Sequence, residues 1–291
     1  IVSYDGKTMH THKDMGLVSE VFNESTLHAL PGRMAIGHTR YSTTGSSTLK
    51  NSQPLVVTYA KGALAIAHNG NLVNAYELRQ QLEANGSIFQ TTVDSEIILH
   101  LLARATNKEF EDDLSECLRL LKGAFTLLFV REGQLIGCRD PNGFRPLCIG
   151  RLNRSYVFAS ETCALDLIGA KFVREVFPGE VVIISPDGLR SLWPFKETPT
   201  APSHCLFEHV YFSRPDSTVF GESVQAVRTK LGRQLAREYP VEADLVMPIP
   251  DSGNFAALGY SLESGIPFTI GMTRNHYVGR TFIQPAQEIR D

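Results

Sequence analysis

Apolar and polar positions alternate along this chain in two distinct rhythms. Short unbroken apolar runs at Arg33–Gly37 and Leu64–Ala67 predict buried strands. Val2–Tyr4 and Met9–Thr11 flank Asp5-Gly6 and predict a hairpin, and Leu17–Phe22 reads as a short helix or an extended segment. The period then lengthens. Asn74 with Glu77 resembles a capping box, and Gly86 lies just past a plausible helix end. Asp94 opens a second helix with Ile97, Ile98, Leu101, Leu102 and Ala105 spaced three and four apart, and Leu114, Cys117, Leu118 and Leu121 mark a third. From Ala124 the strand rhythm returns. It predicts strands over 124–130, 134–139, 146–150, 156–160, 180–185 and 190–193, with one helix near 162–169. Strands, then helices, then strands predict an α+β domain with sheet-on-sheet packing.

Pro194, Pro199 and Pro202, mixed with Lys, Glu and Thr, have the composition of a linker. A boundary there divides the chain into domains 1–198 and 199–291. Beyond it the pattern predicts a helix over 223–239, a strand over 244–249, a loop at 250–254, a helix over 255–264 and a strand over 267–271. Such alternation predicts a parallel sheet.

Composition narrows the function classes. The 291 residues are 43% apolar and 20% charged, as in a globular protein with ample core. A net charge of -3 gives no signal for nucleic acid or an anionic membrane. No apolar run approaches the roughly 20 residues of a membrane-spanning helix. Five widely spaced cysteines argue against a disulfide framework and for a reducing compartment. The chain begins without Met inside a strand-like pattern and ends abruptly after Glu288-Ile289-Arg290-Asp291, so it reads as a fragment cut at both ends.

Candidate chemistry lies at the strand ends. His38-Thr39-Arg40-Tyr41-Ser42-Thr43-Thr44-Gly45 brings a guanidinium, suited to a carboxylate, beside several hydroxyls. In His68-Asn69-Gly70-Asn71, the Asn69 amide and the Gly70 N–H are donors suited to an oxyanion; the same dipeptide is also an ordinary hairpin turn. Asp94 in Thr91–Glu96 is either a ligand group or a plain N-cap. Asp251-Ser252-Gly253, at a strand-to-helix loop, suits a phosphate, with the Ser252 hydroxyl available to Mg²⁺; the alternative is again an N-cap. Arg274–Pro285 reads as an exposed loop.

The first three clusters resemble the class II glutamine amidotransferases of the N-terminal-nucleophile hydrolases. That resemblance implies a four-layer αββα sandwich. It implies that Arg40 and Thr43 bind glutamine, that Asn69 and Gly70 form the oxyanion hole, and that Asp94 holds the substrate ammonium. The nucleophile in that family is an N-terminal cysteine. No Cys precedes Cys117 here, so it is expected upstream and the fragment is expected to be inactive. Phe207-Glu208-His209-Val210-Tyr211-Phe212-Ser213-Arg214-Pro215-Asp216-Ser217 and the 274–285 stretch are similar to the amidophosphoribosyltransferase family. This second resemblance implies a partial α/β phosphoribosyltransferase domain after the sandwich. It implies glutamine-dependent conversion of phosphoribosyl pyrophosphate (PRPP) to 5-phosphoribosylamine, the first committed step of purine synthesis. Asp251, Ser252, Gly253, Tyr277 and Arg280 then belong to the PRPP site and its closing loop, and Ser252 to Mg²⁺. Cys205 matches one ligand of the 4Fe–4S cluster in one branch of the family, whose other three thiolates are expected in the C-terminal part beyond this fragment. Purine nucleotides as feedback inhibitors, a homotetramer, and a cytoplasmic location (plastid in a plant) are implied too, with neither nucleic acid nor membrane as partner. Alternatives are another class II enzyme, such as glucosamine-6-phosphate or asparagine synthase, or a non-catalytic PRPP- or nucleotide-sensing relative. The stretch Arg139-Asp140-Pro141-Asn142-Gly143-Phe144-Arg145-Pro146-Leu147 is read as structural.

Overall fold

A computed structural model describes residues 1–40, 48–198 and 201–275. Thr43, Tyr277 and Arg280 lie outside the described residues. The described chain forms two compact units: residues 1–145 with 176–203, and residues 146–175 with those from 204 onward.

In the first unit, β1 (Val2–Tyr4) pairs antiparallel with β2 (Met9–Thr11) and with β3 (Met34–Ile36). Two short helices, α1 (Val18–Val21) and α2 (Glu24–His28), bury none of their residues. Next come β4 (Leu55–Tyr59) and β5 (Gly62–Leu72), then α3 (Ala75–Ala84), α4 (Ser95–Arg104) and α5 (Phe110–Leu120), then β6 (Gly123–Arg131) and β7 (Gln134–Arg139). The chain continues through β8 (Cys148–Leu152), β9 (Ser155–Ala159), α6 (Thr162–Leu167) and β10 (Lys171–Glu175), which belong to the second unit. It returns in β11 (Val181–Ser185) and β12 (Gly188–Leu192). The main sheet has the order β12-β11-β7-β6-β5-β4.

Strand alternation sorts the core of this unit into layers. Leu64, Ile66, Phe125, Leu127, Phe129 and Ile136 pack with the apolar faces of α3, α4 and α5. The intervening residues Ala65, Ala67 and Val130 pack with Val2, Tyr4 and Ile36 of the small sheet. The result is a helix layer, a six-stranded sheet and a three-stranded sheet. Each fully buried Leu or Phe in such a core stabilises it by roughly 2 kcal/mol.

In the second unit, β10, β8 and β9 form a sheet in that order, with Leu165 of α6 buried against it. A π-helical turn at Glu208–Phe212 and a hairpin of β13 (Thr218–Val219) and β14 (Glu222–Ser223) lead into α7 (Val224–Glu238) and then α8 (Asn254–Ser264). Helix α7 starts on a conventional cap, the Ser223 hydroxyl accepting the Ala226 N–H at 3.4 Å. Helix α8 ends at Gly265, whose φ of 76° is the left-handed cap expected there.

Several expectations need correction. The strand at Leu64–Ala67 does not end before Asn69: β5 runs on to Leu72, so Asn69-Gly70 is not a hairpin turn. Asn74 makes no capping bond; its side chain accepts the Lys122 N–H (3.0 Å) and donates to the Leu120 carbonyl (2.9 Å), tying the start of α3 to the junction of α5 and β6. The strands expected over 244–249 and 267–271 reduce to one parallel bridge, Val246 with Phe268. Leu245, Met247, Ile249 and Ile270 stay substantially exposed there. A parallel strand pair is stable only when neighbours cover it. Among the described residues these two segments have only each other. Helix α2 and strand β10 were not anticipated.

Candidate functional site

The site in the first unit is built on the far end of β5. His68, Gly70 and Leu72 lie on the helix-facing side, and Asn69, opposite Thr126 of β6, lies on the side facing the small sheet. Gly70 is required by its backbone. Its φ is +151°, and a Cβ there would sit 2.1 Å from the Ala124 carbonyl oxygen. Ile36, at the end of β3, packs in the same inter-sheet cluster as Ala65 and Ala67. The strand therefore releases Gly37, His38, Thr39 and Arg40 on that side.

Asp94 precedes α4 but does not cap it. Its backbone is helical (φ -62°, ψ -30°) and its side chain makes no cap bond. The carboxylate turns to β5, accepting the Leu72 N–H at 2.9 Å and lying 3.4 Å from Nδ1 of His68 and 3.4 Å from the Ser95 hydroxyl. Burial works against its charge, but the bonds from His68, Leu72 and Ser95 outweigh it and hold the carboxyl below the usual range. His68 itself is buried, with Nδ1 also 3.0 Å from the Ser95 hydroxyl. His38 is pushed down to about 4 by burial, then by the charges of His68, Arg40 and the terminal ammonium. Arg40 thus lies close enough to act on His38, which in turn senses His68.

Arg145, in the stretch that the sequence reads as structural, reaches the site. Its Nη2 lies 3.3 Å from Oδ1 of Asn69. Nothing in the Asp-Pro-Asn-Gly turn signal distinguishes this arginine from a solvated one. A cavity of about 480 Å³ also opens beside β4 and α4, lined by Lys13, Tyr59, Glu96 and His100 among others, and it includes none of Arg40, Asn69 or Asp94.

In the second unit, Asp251, Ser252 and Gly253 precede α8. Asp251 is exposed and pairs with Arg274 at 3.0 Å. Gly253 donates its N–H to the Ile249 carbonyl at 3.2 Å, and a Cβ on it would sit 2.7 Å from that oxygen. That N–H is therefore engaged within the loop.

Residues 38–167 match the family model of a glutamine amidotransferase domain. The chain is 54% identical to amidophosphoribosyltransferase 1, chloroplastic, of Arabidopsis thaliana, over 98% of this chain and 50% of the relative. It is 51% identical to amidophosphoribosyltransferase of Rhizobium etli, over all of this chain and 59% of the relative. The chain belongs to the amidophosphoribosyltransferase family. It also superposes on the glutamine PRPP amidotransferase of Bacillus subtilis complexed with ADP and GMP, with a TM-score of 0.90 and 47% identity, over 99% of this chain and 62% of that one. The chain spans about half the length of the curated relatives it matches.

Among the described residues there is no group of three or more His, Cys, Asp or Glu side chains that could hold a metal. The Asp251 carboxylate beside Ser252 is turned to Arg274. A 4Fe–4S cluster needs about four thiolates. Cys117 and Cys138 are buried in the core with their thiols pushed up by burial, and burial pushes Cys148 up to about 12.

No helix among the described residues is long and apolar enough to cross a membrane.

Proposed function

We propose that the protein carrying this chain is an amidophosphoribosyltransferase. It hydrolyses glutamine to glutamate and ammonia, and passes the ammonia to PRPP, forming 5-phosphoribosylamine and releasing pyrophosphate. The observation that carries this reading is the behaviour of Asp94. It leaves its helix uncapped and bonds instead to Leu72 and His68, on either side of Asn69 and Gly70. A carboxylate kept ionised in that position suits the ammonium of an amino acid, and Arg40 suits its carboxylate. The Asn69 amide and Gly70 N–H supply donors for the tetrahedral oxyanion. Cys117, Cys138 and Cys148 are protonated thiols, the wrong state for attack.

The same reading makes residues 1–198 the glutaminase domain, completed as a four-layer αββα sandwich, and 199–291 the first part of an α/β phosphoribosyltransferase domain. Asp251, Ser252 and Gly253 then face the phosphates of PRPP, with Thr43 completing the glutamine site and Tyr277 and Arg280 the closing loop. Mg²⁺ commonly binds through substrate phosphates with few protein ligands, so it would arrive with the pyrophosphate, with the Ser252 hydroxyl beside it. Cys205 would contribute one thiolate to a cluster. Purine nucleotides as inhibitors, a homotetramer, and a cytoplasmic site, or a plastid one in a plant, complete the proposal.

The test is steady-state glutaminase kinetics on the full-length protein. Asp94→Asn should raise KM for glutamine at least tenfold, and Asn69→Ala should lower kcat about 100-fold, the usual cost of losing an oxyanion donor. Wild-type values in both variants would overturn the reading.

A further inference from the structure

The turn before Arg145 is anchored on every side. Asp140 accepts N–H bonds from Asn142 (2.9 Å), Phe144 (3.3 Å) and Phe125 of β6 (3.2 Å). The buried Arg139 donates to the carbonyls of Val176 (2.5 Å) and Gly143 (2.7 Å). The Arg145 carbonyl accepts the hydroxyl of Thr126 at 3.3 Å, and Thr126 is the β6 residue opposite Asn69. The backbone of Arg145 is thereby fixed beside the residue it addresses, with its Nη2 3.3 Å from Oδ1 of Asn69.

A guanidinium has donors and no acceptor. It tolerates Asn69 only with the carbonyl oxygen turned towards it, which turns the NH₂ group away. Rotation by half a turn would set two donors against each other. We propose that Arg145 is a positioning residue for the oxyanion hole. It holds the Asn69 carboxamide with its NH₂ presented to the reacting carbonyl, and by drawing charge onto Oδ1 it makes that NH₂ a better donor. Without Arg145, the broad terminal torsion of Asn lets the oxygen face the developing oxyanion for part of the time. This inference rests on the role given to Asn69 in the proposed function.

The test is glutaminase kinetics on the full-length protein carrying Arg145→Met, Arg145→Lys, Asn69→Ala, and Arg145→Met with Asn69→Ala. Arg145→Met should lower kcat about tenfold while KM for glutamine stays within about twofold, since the lost interaction belongs to the transition state. Arg145→Lys, which keeps a donor, should recover most of that loss. In the Asn69→Ala background, Arg145→Met should have no further effect, because its target is gone. A generally structural role predicts the same factor in both backgrounds, and that result would overturn the proposal; so would an unchanged kcat or an effect confined to KM. Should Arg145→Met fail to fold, Arg145→Gln carries the comparison, because its amide can accept as well as donate and so permits the rotated Asn69. If Asn69→Ala itself leaves kcat intact, the oxyanion reading falls and this inference with it. If Asn69→Ala collapses kcat and the Arg145 variants do not, only the positioning role falls.

Discussion

At the scale of single residues, the site is a set of side chains drawn away from their commonest uses. An aspartate before a helix usually caps it, and nothing in the pattern around Asp94 announces that its carboxylate bonds to a strand instead. The residue type was legible; its direction was not, because direction depends on His68 and Leu72, which lie more than 20 positions away. His38 offers a test of this crowded environment. Its ordinary value is 6.5, and in the folded protein it lies at about 4, mainly through burial. Between those values the unfolded chain binds a proton that the folded chain does not, so stability rises with pH across that window. As pH falls from 6.5 towards 4, the stabilisation is lost progressively, by about 2 kcal/mol after discounting for partial exposure. The Asp94 carboxyl, held below its usual range, contributes with the same sign only at lower pH. Urea unfolding of this chain from pH 4 to 7 should show the slope in the wild type and a flatter profile in His38→Gln. Equal profiles would mean that His38 is solvated.

At the scale of elements, regular periodicity read well and contacts between elements did not. The helix expected over 223–239 is α7 at Val224–Glu238, and the strand expected over 134–139 is β7. Their amphipathic patterns are local and need no knowledge of a partner. Where a partner decides the outcome, the pattern misled. The apolar run at Asp244–Ile249 reads as a buried strand, yet among the described residues its only bridge is Val246 with Phe268. The crossing of α7 and α8 is another such case, hidden in two glycines that look like weak points in their helices. A Cβ on Gly232 would sit 1.9 Å from the Ala256 carbonyl oxygen, and one on Gly259 would sit 2.1 Å from that of Thr229. The atoms met are backbone, so nothing can swing aside. Alanine normally favours a helix by about 1 kcal/mol over glycine. Here Gly259→Ala should instead lower thermal stability by several degrees, with helix separation outweighing the gain in propensity. A thermal melt followed at 222 nm decides it, and a raised midpoint would refute the close crossing.

At the scale of the whole molecule, the linker composition and the compact units divide the chain differently. Pro194–Ser203 has the composition of a boundary, and the chemistry proposed for the two domains follows it. The second unit, however, draws in residues 146–175 as well as those after 203. Its hydrogen bonds explain why. The Glu161 carboxylate accepts the Arg214 N–H and the Ser217 hydroxyl, both at 2.8 Å. Thr162 Oγ1 accepts the Thr218 N–H at 2.9 Å, and the Glu175 carboxylate accepts the Gly221 N–H at 3.1 Å. These bonds hold the 214–221 loop, whose preceding turn is held in turn by Arg228 of α7. Arg228, itself buried, donates to the carbonyls of His209 (2.5 Å) and Ser213 (2.8 Å). Removing residues 146–175 would strip four acceptor contacts from one short segment. A typical intramolecular hydrogen bond contributes about 0.5–1.5 kcal/mol net, so four together are a large share of the roughly 5–15 kcal/mol by which a domain is stable. A polypeptide of residues 201–291 should therefore melt without a cooperative transition, whereas one beginning at Pro146 should melt cooperatively. The measurement is circular dichroism at 222 nm against temperature on both. A sharp transition of equal midpoint in the shorter piece would show that α7 and α8 sustain themselves, and that the bonds to Glu161, Thr162 and Glu175 join the segment 146–175 to a body already stable without it.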